Sequence, residues 1–172
     1  MQNQTENLQS PELRAIAIDP GVMTGFCYAR IIDEKKVEYY PFQMNDEFDD
    51  LWRRLAEFQP RYIIMEDFEF RGRASTGLNL FPCQLIGVAR LYELTEPTGK
   101  CALYLQKPAQ GKSYFTDPIL KSKGLYKRGL PHGMDASRHL LQWLTFGAGY
   151  QFLTGDPKEQ SASIINEWKW ER

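Results

Sequence analysis

Cysteine is scarce in this 172-residue chain, which has only three. An odd number of scattered cysteines without a Cys-x-x-Cys pair fits neither a disulfide framework nor a cysteine zinc site. We therefore expect the protein to act in a reducing cytoplasm. The three residues are Cys27, Cys83 and Cys101.

Long apolar runs are also missing. The most apolar stretch, residues 140–153, is shorter than the roughly 20 residues that cross a bilayer, and polar residues and glycines interrupt it. The first dozen residues lack the basic and apolar regions of a signal peptide. We therefore expect neither a membrane partner nor a leader. With 42% hydrophobic and 25% charged residues, the composition is that of a globular domain and excludes a disordered chain or a coiled coil.

A large excess of one charge is absent, because the formal net charge is −1. Taken alone, this near-neutrality argues against a nucleic-acid partner. However, residues 100–130 contain seven basic side chains and Asp117 as the only acid. Such a stretch is a candidate polyanion-binding face, and a solvated surface is the alternative. The basic residues are Lys100, Lys107, Lys112, Lys121, Lys123, Lys127 and Arg128.

Hydrophobic periodicity predicts an α/β fold in which three antiparallel strands precede βα units. The sequence thus favours a mixed five-stranded sheet with helices on both faces. Strands are predicted at residues 13–18, 24–32, 37–42, 61–68 and 101–105. Helices are predicted from 45 or 46 to 58, at 77–94, in parts of 108–123, and at 132–147. We expect residues 1–12 to be flexible, 13–153 to form the domain, and the tail 154–172 to form a short docking helix.

Three acids stand where this layout would bring them together. Asp19 follows the first strand, Glu66 ends the fourth, and Asp135 lies in the first turn of the last helix. Each alone has an ordinary explanation as a turn former, a strand end or a helix-dipole partner. Together, such carboxylates repel one another unless a cation is present. Hard oxygen ligands suit Mg²⁺, and a pair of ions can promote phosphodiester cleavage.

Both histidines of the chain flank the last of these acids. His132, Asp135 and His139 follow a spacing of i, i+3 and i+7, which places them on one helix face. A structural role is the usual one for such a histidine. The flanking pair nevertheless favours a site, in which His132 would be a metal ligand, a proton carrier or a positioner of a phosphate. The pattern does not separate the role of His132 from that of His139.

Four segments of the chain resemble the RuvC-like Holliday junction resolvases of the RNase H-like nuclease superfamily, particularly small phage-type members. They occur in the family's order between about residues 14 and 144. The segments are residues 16–25 with Ile-Asp-Pro-Gly, 64–68 with 84–89, 106–108 with Lys112, and 132–136 with His-x-x-Asp-Ala.

The resemblance implies that Asp19, Glu66 and Asp135 are catalytic metal ligands, with His132 as the fourth member of the set. It implies two Mg²⁺ ions, with Glu66 sharing them, and Mn²⁺ as a substitute because imidazole is a poorer ligand for Mg²⁺. It further implies a homodimer formed through the helix at 77–94. The expected substrate is a four-way DNA junction, cut by paired nicks that leave a 5′-phosphate and a 3′-hydroxyl.

The resemblance also implies that Lys112 contacts DNA near the site. Residues 68–81 combine aromatics, arginines and glycines, and either stack on unpaired bases or form an ordinary exposed loop. Two departures from the family are a turn after Asp19 that is one residue shorter than in the cellular bacterial enzymes, and a low pI of about 6.2. The further DNA-facing candidates are Lys107, Arg71, Arg73, Lys121, Lys123, Lys127 and Arg128.

Two alternatives remain open. The chain could be another nuclease of the same fold, acting on flaps, forks or RNA–DNA hybrids. It could instead be a non-catalytic module that binds branched DNA. We do not expect a nucleotide cofactor, because no Gly-x-x-x-x-Gly-Lys loop is present and the chain is too short for the paired domains of an actin-like ATPase. A bacterial or phage-infected cytoplasm is the expected setting.

Overall fold

A computed structural model of the protein describes residues 13–33, 36–45, 48–69, 79–150 and 169–171. Its first three strands pair antiparallel, as the sequence predicts. They extend further than predicted at their ends, because backbone pairing continues beyond the apolar runs. The strands are β1 (Leu13–Asp19), β2 (Met23–Asp33) and β3 (Lys36–Asn45).

Two βα units extend the sheet on the other side of β1. Strand β4 pairs in parallel with both β1 and β5, so the carboxyl ends of these three strands lie at the same edge. Its residues Tyr62 to Met65 are all buried, which explains the uninterrupted apolar run. The elements are α1 (Phe48–Phe58), β4 (Tyr62–Glu66), α2 (Phe81–Thr95) and β5 (Ala102–Gln106).

The sheet has a sixth strand that the sequence analysis missed. Strand β6 (Lys169–Glu171) pairs in parallel with the start of β3, and the strand order is β5-β4-β1-β2-β3-β6. The predicted docking helix of the tail is therefore wrong for these three residues, because their backbone pairs with the sheet edge. The rest of that tail prediction, residues 154–168 and 172, lies outside the described residues.

Prolines mark the starts of the helices α2 to α5. Each has a proline among its first two residues, where a missing N–H costs no helical hydrogen bond. This explains why α2 begins at Phe81, just before Pro82, rather than at residue 77. No helix in the described part of the chain is long and apolar enough to cross a membrane. The remaining helices are α3 (Pro108–Tyr114), α4 (Asp117–Ser122) and α5 (Pro131–Phe146).

Helices cover both faces of the sheet and form two cores. Side chains of a strand alternate between faces, so Ala15 and Ala17 of β1 pack toward α5. Ile16 and Ile18 of the same strand pack toward α1 and α2. The predicted mixed sheet with helices on both faces is therefore confirmed, with the added edge strand β6.

The first turn of α5 lies directly against the backbone of β2 and β3. A Cβ atom added to Gly25 would stand 2.0 Å from the carbonyl oxygen of His132, and one added to Gly133 would stand 2.7 Å from that of Phe42. The side-chain oxygen of Gln43 also accepts a hydrogen bond from the His132 amide at 2.9 Å. These contacts fix where α5 begins and therefore where its polar residues lie above the sheet.

Gly25→Ala should destabilise the fold by about 1–3 kcal/mol, because the added methyl group overlaps the backbone of α5. Urea unfolding followed by circular dichroism measures the change. The matched control is Gly87→Ala on α2, where an added Cβ meets nothing within 4 Å. The control should gain about 0.5–1 kcal/mol from helix propensity. A Gly25→Ala protein as stable as the wild type would contradict the close packing of α5 on β2.

Candidate active site

The three predicted acids meet above the carboxyl edge of the sheet. Asp19 is the last residue of β1 and Glu66 the last of β4, and these neighbouring strands run parallel. Alternation along the strands places both side chains on the face that α5 covers. Asp135 approaches from the first turns of α5. Asp67 does not join them, because its carboxylate accepts a hydrogen bond from the amide of Phe68 at 2.9 Å.

Asp19 is the most buried of the three acids, with 11% of its side chain exposed. Its Oδ2 atom lies 3.0 Å from Nδ1 of His132. Burial raises the pKa of Asp19 above its ordinary value, and the hydrogen bond with His132 lowers it in part. The negative charges of Glu66 and Asp135 raise it further, whereas Lys112 lowers it. Ionising Asp19 in the folded protein is therefore unfavourable unless positive charge is nearby.

The ammonium group of Lys112 supplies such a charge. Its Nζ atom lies 2.8 Å from Oδ2 of Asp135 and 3.9 Å from Oε2 of Glu66. Burial alone would lower the pKa of Lys112, but the hydrogen bond and charge of Asp135, with the charges of Glu66 and Asp19, raise it overall. This lysine, predicted from the sequence to lie near the site, stands between the carboxylates of Asp135 and Glu66.

Arg138 holds the other oxygen of Asp135. Its guanidinium contacts Oδ1 of Asp135 and Oδ1 of Asp117, and its Nε donates a hydrogen bond to the carbonyl of Phe115 at 2.8 Å. These contacts connect α5 to the start of α4 while the arginine side chain is only 10% exposed. The orientation of Asp135 is thus set by a buried cation.

His139 contacts Glu66, the third acid, from the buried side of the cluster. Its ring is fully buried, with Nε2 at 2.8 Å from Oε2 of Glu66 and Nδ1 at 2.8 Å from Oε1 of Gln106. The helix face predicted to carry both histidines is therefore present. The two histidines serve different acids at different depths, because His132 stays partly exposed.

The sequence analysis missed three residues of this cluster, which are Arg138, Gln106 and Gln43. A signal existed for Arg138, since it is a charged residue in the part of α5 where nearly every neighbour is buried. Polar residues within such a buried segment require partners. Gln106 belongs to segment 106–108 of the family resemblance, which assigned it no role, and Gln43 gave no signal.

The chemistry of this cluster suits a divalent cation. Three carboxylates with hard oxygen atoms are the donor type that Mg²⁺ prefers, and a protein ammonium group already occupies the space between two of them. Within the described residues, however, no three His, Cys, Asp or Glu side chains are arranged closely enough to hold a metal ion. The carboxylate oxygens are instead engaged by Lys112, Arg138 and the two histidines.

Five of the predicted DNA-facing residues lie in the same stretch of chain as Lys112. Lys107 precedes α3, Lys121 lies in α4, and Lys123, Lys127 and Arg128 lie between α4 and α5. Of these, Lys121 also stands 4.6 Å from the ring centre of Tyr126. Arg71, Arg73 and most of the predicted 68–81 loop lie outside the described residues.

Solved structures share this fold, whereas no protein-family model and no curated protein matches the chain. The chain is similar to RuvC of Thermus thermophilus in complex with a Holliday junction substrate, at 15% identity and a TM-score of 0.54 over 76% of this chain and 91% of that one. A second structure of Thermus thermophilus RuvC matches at 15% identity and a TM-score of 0.53, covering 76% and 92%. The fowlpox virus Holliday junction resolvase matches at 12% identity and a TM-score of 0.52, covering 77% and 98%. The RuvC-like fold predicted from the sequence is therefore confirmed.

Asp19→Asn should stabilise the metal-free protein at neutral pH by about 0.5–2 kcal/mol, as removal of a strained polar group at a functional site often does. Because its pKa is raised in the folded state, wild-type stability falls as the pH rises from the ordinary Asp pKa through the folded-state value. Below the ordinary Asp pKa, the Asp19 carboxyl is protonated in both the folded and the unfolded state. The stability difference between the variant and the wild type should then disappear.

Urea unfolding in EDTA from acidic to neutral pH measures this difference. Asp49→Asn is the control, because Asp49 is an exposed acid on α1. An Asp19→Asn protein that is less stable than the wild type at neutral pH would show that the ionised Asp19 carboxylate stabilises the fold, contrary to its raised pKa.

Proposed function

Because the chain shares its fold with the RuvC-like Holliday junction resolvases, we propose that it is a metal-dependent endonuclease that cuts four-way or otherwise branched DNA by paired nicks. The observation that carries the proposal is the meeting of Asp19, Glu66 and Asp135 around the ammonium of Lys112. The three carboxylates come from β1, β4 and α5. They repel one another, so their proximity does not stabilise the fold. A catalytic role accounts for their proximity.

In the proposed reaction, the three acids hold Mg²⁺, or Mn²⁺ in its place, and His132 is a further ligand at the exposed margin. The bound ions would supply an activated water and stabilise the leaving oxygen of the phosphodiester. In this assignment Glu66 would contribute to binding both ions. Lys112 would then leave the carboxylates and contact the phosphate.

The basic side chains beside the site are proposed to bind the DNA backbone. Lys107, Lys121, Lys127 and Arg128 are exposed and lie in the segment that also carries Lys112. The excess of positive charge in this segment would steer DNA toward the acids although the whole chain is nearly neutral. Lys123, Arg71 and Arg73 stay in the proposed set. We place this activity in the cytoplasm of a bacterium or of a phage-infected cell.

We further propose that two copies associate through α2. Leu91 and Leu94 are 53% and 74% exposed, and Leu80 at the start of the helix is also exposed. A two-fold dimer would present two active sites to a junction that has two-fold symmetry.

Purified protein should nick a synthetic four-way DNA junction at paired positions with Mg²⁺ or Mn²⁺, and EDTA should abolish the cutting. Asp19→Asn and Glu66→Gln should each reduce the rate about 100-fold or more, because each removes a charge that holds the ion. Junction binding in EDTA should persist in both variants. Gel assays of cleavage and binding measure these effects, and the exposed-acid variant Asp49→Asn should cut like the wild type.

The same assay separates the alternatives. Cleavage of flaps, forks or an RNA–DNA hybrid without cleavage of the junction would keep the site and replace the substrate. Junction binding by the wild type without cleavage under either metal would favour the non-catalytic module.

Replacing Leu91 and Leu94 together with glutamate should convert the proposed dimer into a monomer, because four charges would face each other across the two helices. Sedimentation equilibrium measures the mass. The variant should also make single rather than paired nicks. Leu105→Glu, at another exposed leucine on β5, is the control and should remain dimeric. A wild-type protein that sediments as a monomer at all concentrations would overturn this assignment.

A further inference from the structure

His139 is a fully buried histidine that the proposed reaction does not use. It lies on α5, whose residues Ala136, Leu140 and Trp143 belong to the hydrophobic core. An imidazole buried without partners would cost about 1–3 kcal/mol. Both of its ring nitrogens are nevertheless engaged, one by Glu66 and the other by Gln106. The residue is therefore tied to the site by two specific contacts.

The hydrogen atoms of this chain of contacts can be assigned from the partners. An ionised Glu66 only accepts, so the Nε2 atom of His139 must carry a hydrogen and donate it to Oε2. In a neutral ring the Nδ1 atom then accepts a hydrogen bond. The side-chain amide of Gln106 can donate this hydrogen bond when it is rotated by about 180°, so that its nitrogen faces Nδ1. Hydrogen bonding decides between the two orientations of such an amide. All three groups are then satisfied without a buried net charge on the imidazole.

The three residues come from three different elements. Glu66 and Gln106 are register partners at the ends of the parallel strands β4 and β5, and His139 comes down from α5. The side chain of Gln106 is itself buried, so its amide is held in place. The carboxylate of Glu66 is thus held by the buried side chain of His139, which Gln106 holds in turn, rather than by solvent.

We propose that His139, held by Gln106, is a positioning residue that fixes the carboxylate of Glu66 for metal binding. The contact restricts rotation of the Glu66 carboxylate, whose Oε2 atom also lies 3.9 Å from the Lys112 ammonium. A ligand held in one orientation loses less conformational freedom when the ion binds, and hydrogen bonds to metal ligands commonly change affinity by 10–100-fold. This inference rests on the proposed function, in which Glu66 is a metal ligand.

His139→Leu should weaken Mn²⁺ binding about 10–100-fold, measured without DNA by calorimetry or by electron paramagnetic resonance. His139→Gln should recover much of the loss, because its amide nitrogen reaches about as far as Nε2 and can donate to Glu66. Junction binding in EDTA should be the same for all three proteins. The control is Ser137→Ala, which removes another buried polar group of α5 whose hydroxyl donates to the carbonyl of Gly133 at 2.7 Å. Its Mn²⁺ affinity should be unchanged.

Nitrogen NMR of ¹⁵N-histidine-labelled protein tests the contact independently of metal and activity. Nε2 of His139 should bear the hydrogen in the wild type, and its resonance should shift in Glu66→Gln but not in Asp49→Asn. This NMR measurement tests the contact between His139 and Glu66 even if the His139→Leu protein fails to fold.

The outcomes separate the two proposals. A wild type that binds Mn²⁺ together with a folded His139→Leu protein of equal affinity would overturn the positioning role alone. An NMR resonance showing that Nε2 of His139 carries no hydrogen would also overturn the positioning role. A wild type that neither binds Mn²⁺ nor cuts DNA would overturn the proposed function, and the positioning role with it.

Discussion

Mutual repulsion among three neighbouring carboxylates is the constraint on which this structure depends. Asp19, Glu66 and Asp135 lie within electrostatic reach of one another in a partly buried space, and burial raises the pKa of Asp19. The protein compensates with a donor for each acid. The pairs are Asp19 with His132, Glu66 with His139, and Asp135 with Lys112 and Arg138.

Helix α5 carries most of this compensation as well as one of the acids. Its residues His132, Asp135, Arg138 and His139 follow helical spacing along one side of the helix. The helix can act in this way only because its first turn rests on the backbone at Gly25, where no side chain separates them. A packing contact between two backbones thereby sets the positions of the polar groups in the cluster.

The arrangement also illustrates how stability and function oppose each other at such a site. Acids buried side by side cost free energy, and natural proteins keep them where a bound cation or substrate makes use of them. The protein's own cations Lys112 and Arg138 offset part of this charge through ion pairs with Asp135. Lys112 differs from Arg138 in this respect, because its side chain is 46% exposed and can move, whereas the arginine is buried and held by two other partners.

Much of the fold followed from local patterns. Alternating and uninterrupted apolar runs predicted five strands, helical periodicity predicted the main helices, and the positions of Asp19 and Glu66 at strand ends predicted a shared edge. Strand β6 could not be predicted in this way, because three polar and aromatic residues become a strand only when a sheet edge is there to pair with them. The same holds for Gln43 and Gln106, whose roles come from partners distant in sequence.

The sequence by itself determined which chemical groups this protein has and on which elements they stand, since periodicity and spacing are local properties of the chain. Only the tertiary structure decided how those groups are paired. His132 and His139 look equivalent on a helix face, yet one lies partly exposed beside Asp19 and the other is buried beneath Glu66. The difference arises from the packing of α5 on the sheet. His132 is 113 positions from Asp19 in the chain, and His139 is 73 positions from Glu66. No local sequence pattern encodes such distant contacts.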